Sequence, residues 1–299
     1  SGGGRGDKFG FSVCMSEDGQ RIVVGAPGFD DGRGYVEVYE YNVVRSSWRA
    51  LGTAVVGNDT GDWLGSAVSI SADGTRIAVG APRASRRNGE TFVYEYLDTD
   101  ATWTQMGQSL TGINRELSGY SLSFSWGGSV LAIGNVLGSG GENRGRVTIM
   151  SFFEGEWSQV GQHIYAGDLA GRSVSLSGDG LRVAIGSTKH DSEENGEDVG
   201  LCQIFELTEG ETWTQMGPDI EGQRPDERIG YSIALSSDGL RIACGGPGAS
   251  TVRVFKQIGG ENWEEASDVL RGEEATSFGS SVALNREGTI LAVGAPQVA

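Results

Sequence analysis

The chain has 299 residues, of which 50 are glycine and only 6 are proline, while 37% are hydrophobic. This composition excludes collagen and argues against disorder, because the apolar residues come in short regular blocks that can form a core. The formal net charge of −17 disfavours nucleic acid and anionic membranes as partners, since it repels their phosphate groups. Every apolar run is far shorter than the roughly 20 residues that cross a bilayer, so no transmembrane segment is expected.

The first repeated unit shows the predicted elements in order. A period-two strand over residues 11–16 leads into a tight turn, Ser-Glu-Asp-Gly, and a second, continuously apolar strand covers residues 21–27. A third strand over residues 35–41 follows a glycine-rich loop, and a fourth carries Trp48. The continuous apolar run of the second strand predicts burial on both of its faces.

The same series recurs along the chain at intervals of 49 to 59 residues. The units lie near residues 9–60, 64–114, 118–166, 170–224, 229–272 and 278–299. Each opens with a glycine, namely Gly10, Gly65, Gly119, Gly171, Gly230 or Gly279. The fourth strands of the first five units carry Trp48, Trp103, Trp157, Trp213 and Trp263, which are predicted to anchor packing between units.

Four antiparallel strands in roughly 50 residues predict a β-propeller blade, because radial stacking leaves only short, protected sheet edges. The expected fold is therefore an all-β β-propeller of four-stranded antiparallel blades, with six repeat units of which five are complete and one is partial. We expect residues 1–299 to form one domain. The partial sixth unit predicts a fragment of a longer chain, or a ring whose last blade has two strands or borrows strands from a partner.

The repeated motif names a family. Phe9-Gly10 with Gly25-Ala26-Pro27 resembles an FG-GAP repeat, and so do Leu64-Gly65 with Gly80-Ala81-Pro82 and Phe278-Gly279 with Gly294-Ala295-Pro296. Such repeats form the blades of the integrin α-subunit propeller and of many secreted proteins, so the resemblance implies a propeller outside the cell or at its surface. It covers essentially the whole chain, although Gly134-Asn135-Val136 and Gly186-Ser187-Thr188 replace the usual triplet.

At the hairpins between first and second strands, the resemblance to FG-GAP repeats does not imply calcium binding. Integrin-type repeats often hold calcium there, but in this chain the loop is shortened to Ser-x-Asp-Gly. The aspartates of these turns are predicted to bond their own backbone, and they are Asp18, Asp73, Asp179 and Asp238. Calcium remains the one candidate cofactor, at the loop that contains Asp191, Glu193, Asn195 and Asp198. The alternative for that loop is a solvated acidic segment.

Residues that break the repeat are the candidate ligand-binding positions. Trp63 precedes an opening glycine and Trp126 lies in a tight hairpin, and an exposed tryptophan can stack on a sugar ring or a partner surface. The alternative is local packing against a neighbouring loop. Arg83, Arg86 and Arg87 form a basic patch on an acidic chain, which predicts either a site for a sulfated or carboxylated glycan or an ordinary charged loop.

No catalytic constellation stands out, because His163 and His190 lie in different units and neither neighbours a nucleophile or a zinc-type partner. The sequence therefore predicts a non-enzymatic, extracellular or cell-surface recognition and adhesion scaffold. Its expected partner is a protein or glycan of the cell surface or matrix, bound through the propeller loops. The alternative is a carbohydrate-binding lectin with sites between blades, and an enzyme on a propeller frame is a third, weaker hypothesis.

Overall fold

The computed structural model describes residue 4 and residues 6–138, 144–260, 262–273 and 276–297. Over these ranges the chain forms six antiparallel sheets in sequence order. The all-β β-propeller predicted from the repeat is confirmed. The single domain expected for residues 1–299 stays a prediction. By its internal contacts the chain divides into two compact units: Ser1–Asn135 with Met150–Gln159, and Val136–Ile149 with Val160–Ala299.

The first three sheets follow one another from the N-terminus. The first contains β1 (Ser12–Met15), β2 (Arg21–Ala26), β3 (Tyr35–Asn42), β4 (Ser47–Ala50) and β5 (Val55–Val56). The second contains β6 (Ala67–Ile70), β7 (Arg76–Ala81), β8 (Glu90–Leu97), β9 (Thr102–Gln105) and β10 (Leu110–Thr111). The third contains β11 (Ser118–Phe124), β12 (Val130–Asn135), β13 (Arg146–Phe153) and β14 (Glu156–Gln159). Short turns whose middle residues have left-handed φ values, α1 (Phe29–Gly32) and α2 (Ala84–Arg87), join the second and third strands of the first two sheets.

Three more sheets complete the chain. The fourth contains β15 (Ala170–Leu176), β16 (Arg182–Ser187), β17 (Leu201–Thr208), β18 (Thr212–Gln215) and β19 (Ile220–Glu221). The fifth contains β20 (Ser232–Leu235), β21 (Arg241–Gly246), β22 (Thr251–Ile258), β23 (Asn262–Glu265) and β24 (Leu270–Arg271). The sixth is the hairpin of β25 (Ser281–Leu284) and β26 (Leu291–Gly294).

The second strand of each of the first five sheets lies in the core. Along β7, Ile77, Ala78 and Val79 are fully buried even though successive side chains point to opposite faces. Both faces of the strand are therefore covered, as its continuous apolar run predicts. Burial of this kind contributes about 25 cal/mol per Å² of apolar surface, so the second strands are a main source of the fold's stability.

The glycines of the motif allow neighbouring blades to approach closely. A Cβ atom on Gly25 would lie 2.1 Å from the carbonyl oxygen of Gly65, and one on Gly80 would lie 2.1 Å from that of Gly119. Such distances are far inside van der Waals contact, so only glycine fits. The same pairing of a triplet glycine with the opening glycine of the next unit occurs at Gly186 with Gly230 and at Gly245 with Gly279.

Four of the repeated tryptophans anchor neighbouring blades, as predicted. Trp103 Nε1 donates a hydrogen bond to the Leu51 carbonyl oxygen of the preceding sheet at 2.9 Å. Equivalent bonds run from Trp157 to Met106, from Trp213 to Val160 and from Trp263 to Met216. Trp48, in the first sheet, is the exception, since 42% of its surface is exposed.

An arginine clasp, for which the sequence carries no local signal, also links neighbouring blades. Arg21, at the start of β2, pairs with Glu40 on β3 at 3.2 Å and donates to the Gly74 carbonyl oxygen of the next sheet at 3.2 Å. The same arrangement joins Arg76 to Glu95 and to Gly127, and Arg182 to Glu206 and to Asp238. A recurring ion pair thus reinforces the hairpin end of these three interfaces.

The hairpin aspartates bond within their own turns, as predicted. Asp18 accepts hydrogen bonds from the Ser16 hydroxyl at 2.6 Å and from the Gln20 backbone N–H at 2.9 Å. Asp73, Asp179 and Asp238 repeat this pattern. In the part of the chain that is described, no helix is long and apolar enough to cross a membrane.

Candidate functional site

The Trp63 site lies beside the second sheet. Trp63 is in the connection that leads into β6, and Arg83 is in the loop between β7 and β8. The guanidinium carbon of Arg83 lies 3.6 Å from the Trp63 ring centroid, and Lys8 Nζ lies 4.8 Å from it. At these distances both cations interact with the negative face of the indole. The structure therefore brings together two of the predicted ligand-binding residues, Trp63 and Arg83, and adds Lys8.

Local packing holds the Trp63 side chain in place. Its backbone adopts a left-handed φ of 62°, and its N–H donates to the Gly32 carbonyl oxygen at 2.7 Å. A Cβ on Gly32 would lie 2.9 Å from the indole, so the ring rests against that glycine. Trp63 is half-buried, and Arg83 and Lys8 lie over its ring. The indole therefore supports these two cations and does not offer an exposed surface for stacking on a ligand.

The loop that carries Arg83 has an unusual backbone. In this basic loop, residues 83–87, three successive non-glycine residues take left-handed φ values of 50°, 61° and 73° at Ser85, Arg86 and Arg87. Each such residue costs about 1–2 kcal/mol relative to a right-handed conformation. The turn is closed by the Gly89 N–H, which donates to the Ala84 carbonyl oxygen at 3.1 Å.

The first sheet contains the same turn with the opposite charge. In this acidic loop, residues 28–32, Asp30, Asp31 and Gly32 have φ values of 48°, 55° and 82°. The Gly34 N–H closes it on the Phe29 carbonyl oxygen at 3.0 Å. Two neighbouring blades thus use one backbone geometry to present an aspartate pair in one case and an arginine pair in the other.

The charges of the basic loop are unneutralised. Arg83, Arg86 and Arg87 are exposed, and within the described ranges none of them makes an ion pair with a carboxylate. Beside Trp63, burial raises the pKa of the Asp62 carboxyl, and the negative charges of Asp59 and Glu90 act in the same direction. The site therefore combines arginines that make no ion pair with a few carboxyl groups close to Trp63.

Trp126 lies elsewhere. Its backbone carbonyl accepts a hydrogen bond from the Ala72 N–H at 2.9 Å, which ties the hairpin after β11 to the hairpin after β6. Trp63 precedes β6 and Ala72 follows it, so the two predicted tryptophans lie at opposite ends of that strand. They do not form one site.

The predicted calcium loop is organised by other contacts. The Asp198 carboxylate pairs with Lys189 and lies 3.8 Å from Arg228, while its N–H donates to Asp191 Oδ1 at 2.8 Å. Glu193 is exposed and Asn195 is half-buried. Among the described residues, no three or more His, Cys, Asp and Glu side chains are grouped so as to hold a metal ion. Calcium binding at this loop stays a prediction without geometric support.

A cleft of about 330 Å³ opens beside that loop. It is lined by Arg144, Tyr165, Gly167, Asp168, His190 and Asp191. Tyr165 is 65% exposed, and His190 Nε2 lies 3.3 Å from Glu221 Oε1, which fixes the imidazole. The cleft could not be predicted from the sequence, because its lining comes from three separate segments. The exposed Tyr165 in an otherwise small and polar loop was the available signal.

Two buried carboxylates are structural. Glu116 and Glu227 are each 2% exposed. Glu116 accepts the Ile113 N–H at 2.7 Å, and Glu227 accepts the Gln223 N–H at 2.7 Å and the Thr251 hydroxyl at 2.7 Å. They cap the loops that lead into the opening glycines, because a buried carboxylate needs such partners.

Comparison with known proteins agrees with this architecture. Residues 1–39 match the family model of the FG-GAP repeat. A functionally unknown protein from Desulfotomaculum acetoxidans DSM 771 is 13% identical, with a TM-score of 0.56 over 96% of this chain and 75% of that one. Hydrazine synthase from Kuenenia stuttgartiensis is 12% identical, with a TM-score of 0.53 over 99% of this chain and 98% of that one.

At these identities the structural likeness concerns the fold alone. The search of curated proteins returned no match. The resemblance seen in the sequence is confirmed by the family match at its first copy and by the sheet order of the copies that follow. The chain is a β-propeller that carries the FG-GAP repeat.

Proposed function

We propose that the chain is a non-enzymatic recognition and adhesion scaffold, acting outside the cell or at its surface. It binds a protein or matrix partner through the loops that join second to third strands and one blade to the next. One observation carries this proposal: the acidic loop and the basic loop share one backbone geometry and present opposite charges.

A contrast between the frame, meaning the contacts that join the blades, and the loops supports the proposal. The glycine contacts, tryptophan bonds and arginine clasps recur from blade to blade. The loop side chains do not recur. Recognition residues are commonly found on loops that a rigid scaffold positions, so a fixed frame with variable loops is what a binding protein needs.

The test is a binding panel of immobilised matrix proteins and glycans, probed with and without calcium. The loop variant Arg86→Asp with Arg87→Gly converts the tip of the basic loop to the Asp31-Gly32 pair of the acidic loop. Trp126→Ala serves as the control, because Ala72 occupies the equivalent hairpin position in the second sheet.

We expect at least one probe to bind the unmodified chain and the Trp126→Ala control, and to bind the loop variant more weakly. No binding across the panel contradicts the proposal. Binding that depends on the hairpin and not on the loop contradicts it as well.

A lectin is the second candidate, favoured by the cleft beside Tyr165. Its volume of about 330 Å³ lies at the lower end of the range for small-ligand sites, roughly 300–1,000 Å³. An exposed aromatic ring can pack against the C–H face of a sugar, while Asp168 and Asp191 can accept hydrogen bonds from its hydroxyl groups.

The lectin candidate predicts that Tyr165→Ala abolishes binding to a neutral glycan. Phe153→Ala is the matched control, because Phe153 is a similarly exposed aromatic residue outside the cleft. If no neutral glycan binds the unmodified chain, or if one binds the Tyr165→Ala and Phe153→Ala variants equally well, this candidate fails. The protein-partner proposal then stands.

A further inference from the structure

In the part of the chain that the structure describes, four cations at Trp63 and in the basic loop make no ion pair with a carboxylate. They are Lys8 and Arg83, which flank Trp63, and Arg86 and Arg87, which follow Arg83 in the same turn. Elsewhere in the described ranges, exposed cations either pair with acids, as in Arg33 with Asp30 and Arg49 with Glu40, or stand singly, as Arg45 and Arg271 do. In a chain with 40 acidic and 23 basic residues, a group of unpaired cations indicates a ligand with negative charge.

The backbone of the basic loop points the same way. Left-handed residues other than glycine are strained, and such strain persists where function or surrounding structure requires it. Gly32 occupies in the acidic loop the position that Arg87 holds in the basic loop, with φ values of 82° and 73°. Glycine would relieve the strain at this position, so the arginine side chain is held there at a cost in stability.

We infer that Lys8, Arg83, Arg86 and Arg87 bind a linear polysaccharide that carries sulfate or carboxylate groups. Guanidinium groups bind such oxyanions through paired N–H donors. The inference rests on the proposed function, because it names the partner class of the same loops.

The surrounding charge favours a thin polymer over a folded acidic protein. The Debye length is about 8 Å at physiological ionic strength, so a single polysaccharide strand feels the basic loop while more distant acids are screened. A folded acidic partner would bring a wide surface against Asp30, Asp31 and Glu90 and would be repelled. The contact of a narrow chain with the loop tip avoids that repulsion.

Trp63 acts in this site as a positioning residue. Its ring lies under Arg83 and leaves the N–H edges of the guanidinium available to an anion. Leu117 and Leu169 occupy the equivalent left-handed position in later units, with φ values of 56° and 53°. Trp63→Leu is therefore compatible with the backbone and removes only the aromatic support.

The experiment measures binding of the immobilised chain to dextran sulfate, polygalacturonate, neutral dextran and polyglutamate over a series of salt concentrations. The variants are Arg86→Gln with Arg87→Gln, Trp63→Leu and Trp63→Phe. The control is Arg45→Gln with Arg271→Gln, which removes the same charge from two exposed arginines of other segments, one between β3 and β4 and one in β24.

We expect dextran sulfate or polygalacturonate to bind, more weakly as salt rises, and the arm that binds identifies the anion. Each loop arginine contributes roughly tenfold to affinity, so the double loop variant loses about a hundredfold and its salt dependence becomes shallower. The control pair changes affinity less than threefold. Trp63→Leu weakens binding, and Trp63→Phe restores most of it, which a purely structural role of the tryptophan would not produce.

The inference is overturned if neither anionic polysaccharide binds, if neutral dextran binds equally well, or if the control pair loses as much affinity as the loop pair. Polyglutamate binding as tightly as the polysaccharides overturns it in favour of an acidic protein partner. If another probe of the panel still depends on the loop, only the inference fails and the proposed function remains.

Discussion

Arg87 shows how a single residue can work against the stability of its own turn. It holds a φ of 73° in a position where the first sheet has Gly32. A Cβ in the left-handed region crowds the following carbonyl oxygen, and glycine avoids this. The side chain is exposed and makes no ion pair within the described residues, so no ion pair there offsets the strain.

Replacing Arg87 by glycine should therefore stabilise the protein. We expect the free energy of unfolding in urea to rise by about 1 kcal/mol. Gly32→Ala is the reciprocal change and should lower it, because the new Cβ would lie 2.9 Å from the Trp63 indole. A lower stability of Arg87→Gly would show that its side chain supports the turn.

Asp18 gives the hairpin turns a pH dependence. The Ser16 hydroxyl lowers the pKa of the Asp18 carboxyl, and the Gln20 N–H adds to the effect. In the unfolded chain the pKa returns to about 3.9. The ionised turn therefore adds stability above that value, and this contribution is lost as the pH falls through the lower folded-state pKa.

Asp18→Asn should consequently cost stability at pH 7 and progressively less below pH 4. Urea unfolding of both proteins between pH 7 and pH 2.5 measures this difference. Asp98→Asn, at an exposed turn position, controls for the change in net charge. A stability difference for Asp18→Asn that stays constant across this range contradicts the role given to the carboxylate.

The blade interface is the element on which the fold depends, and the tryptophan bonds show how it is ordered. Trp103 is 9% exposed and reaches the Leu51 carbonyl, whereas Trp48 in the corresponding position is 42% exposed. We expect Trp103→Phe to lower the free energy of unfolding by about 2 kcal/mol, through a lost hydrogen bond and lost packing. Trp48→Phe should change it by less than about 0.5 kcal/mol. Equal effects of the two changes would mean that the bond to Leu51 is unimportant.

The motif glycines set the distance between blades. Gly80→Ala would place a Cβ 2.1 Å from the Gly119 carbonyl oxygen, so the two backbones must separate. We expect a loss of more than about 3 kcal/mol, measured by urea unfolding. Gly127→Ala is the control, because its nearest neighbour would be the Ser129 hydroxyl at 3.8 Å, and its effect should be small. A mild effect at Gly80 would show that the interface can relax.

Strands, hairpin turns and tryptophan anchors could be predicted because each follows from a local pattern repeated along the chain. The close approach of Gly25 to Gly65 explains the motif, but the distance itself emerges only when two blades pack. The clasp from Arg21 to Gly74 was missed for the same reason, since its partner is 53 residues away. The partner of a contact across blades has no local signal in one sequence, even where the repeat singles out the residue that makes the contact.

The site was predictable in part. Trp63 and Arg83 could be singled out as breaks in the repeat, but their contact depends on a left-handed turn that a sequence of ordinary loop residues does not indicate. The predicted calcium loop shows the converse. Its acidic spacing suggested a metal site, while Lys189 and Arg228, which pack against Asp198, could not be placed from spacing alone.

At the scale of the whole molecule, a strongly acidic chain combines repeated contacts between blades with loops whose side chains vary. Recurrent glycines, tryptophans and arginine clasps join the blades, and the acidic and basic loops differ in charge without a change of backbone. Frame and loops are therefore separable, so a loop can change its ligand without endangering the fold.

The free energy of unfolding of the double variant Arg86→Asp with Arg87→Gly tests this separation most directly. This variant writes the tip of the acidic loop onto the backbone of the basic loop. We expect a free energy of unfolding equal to that of the unmodified protein or higher by about 1 kcal/mol, because the glycine relieves a left-handed residue. A loss of more than about 2 kcal/mol would show that the arginine pair belongs to the frame, and would contradict the account.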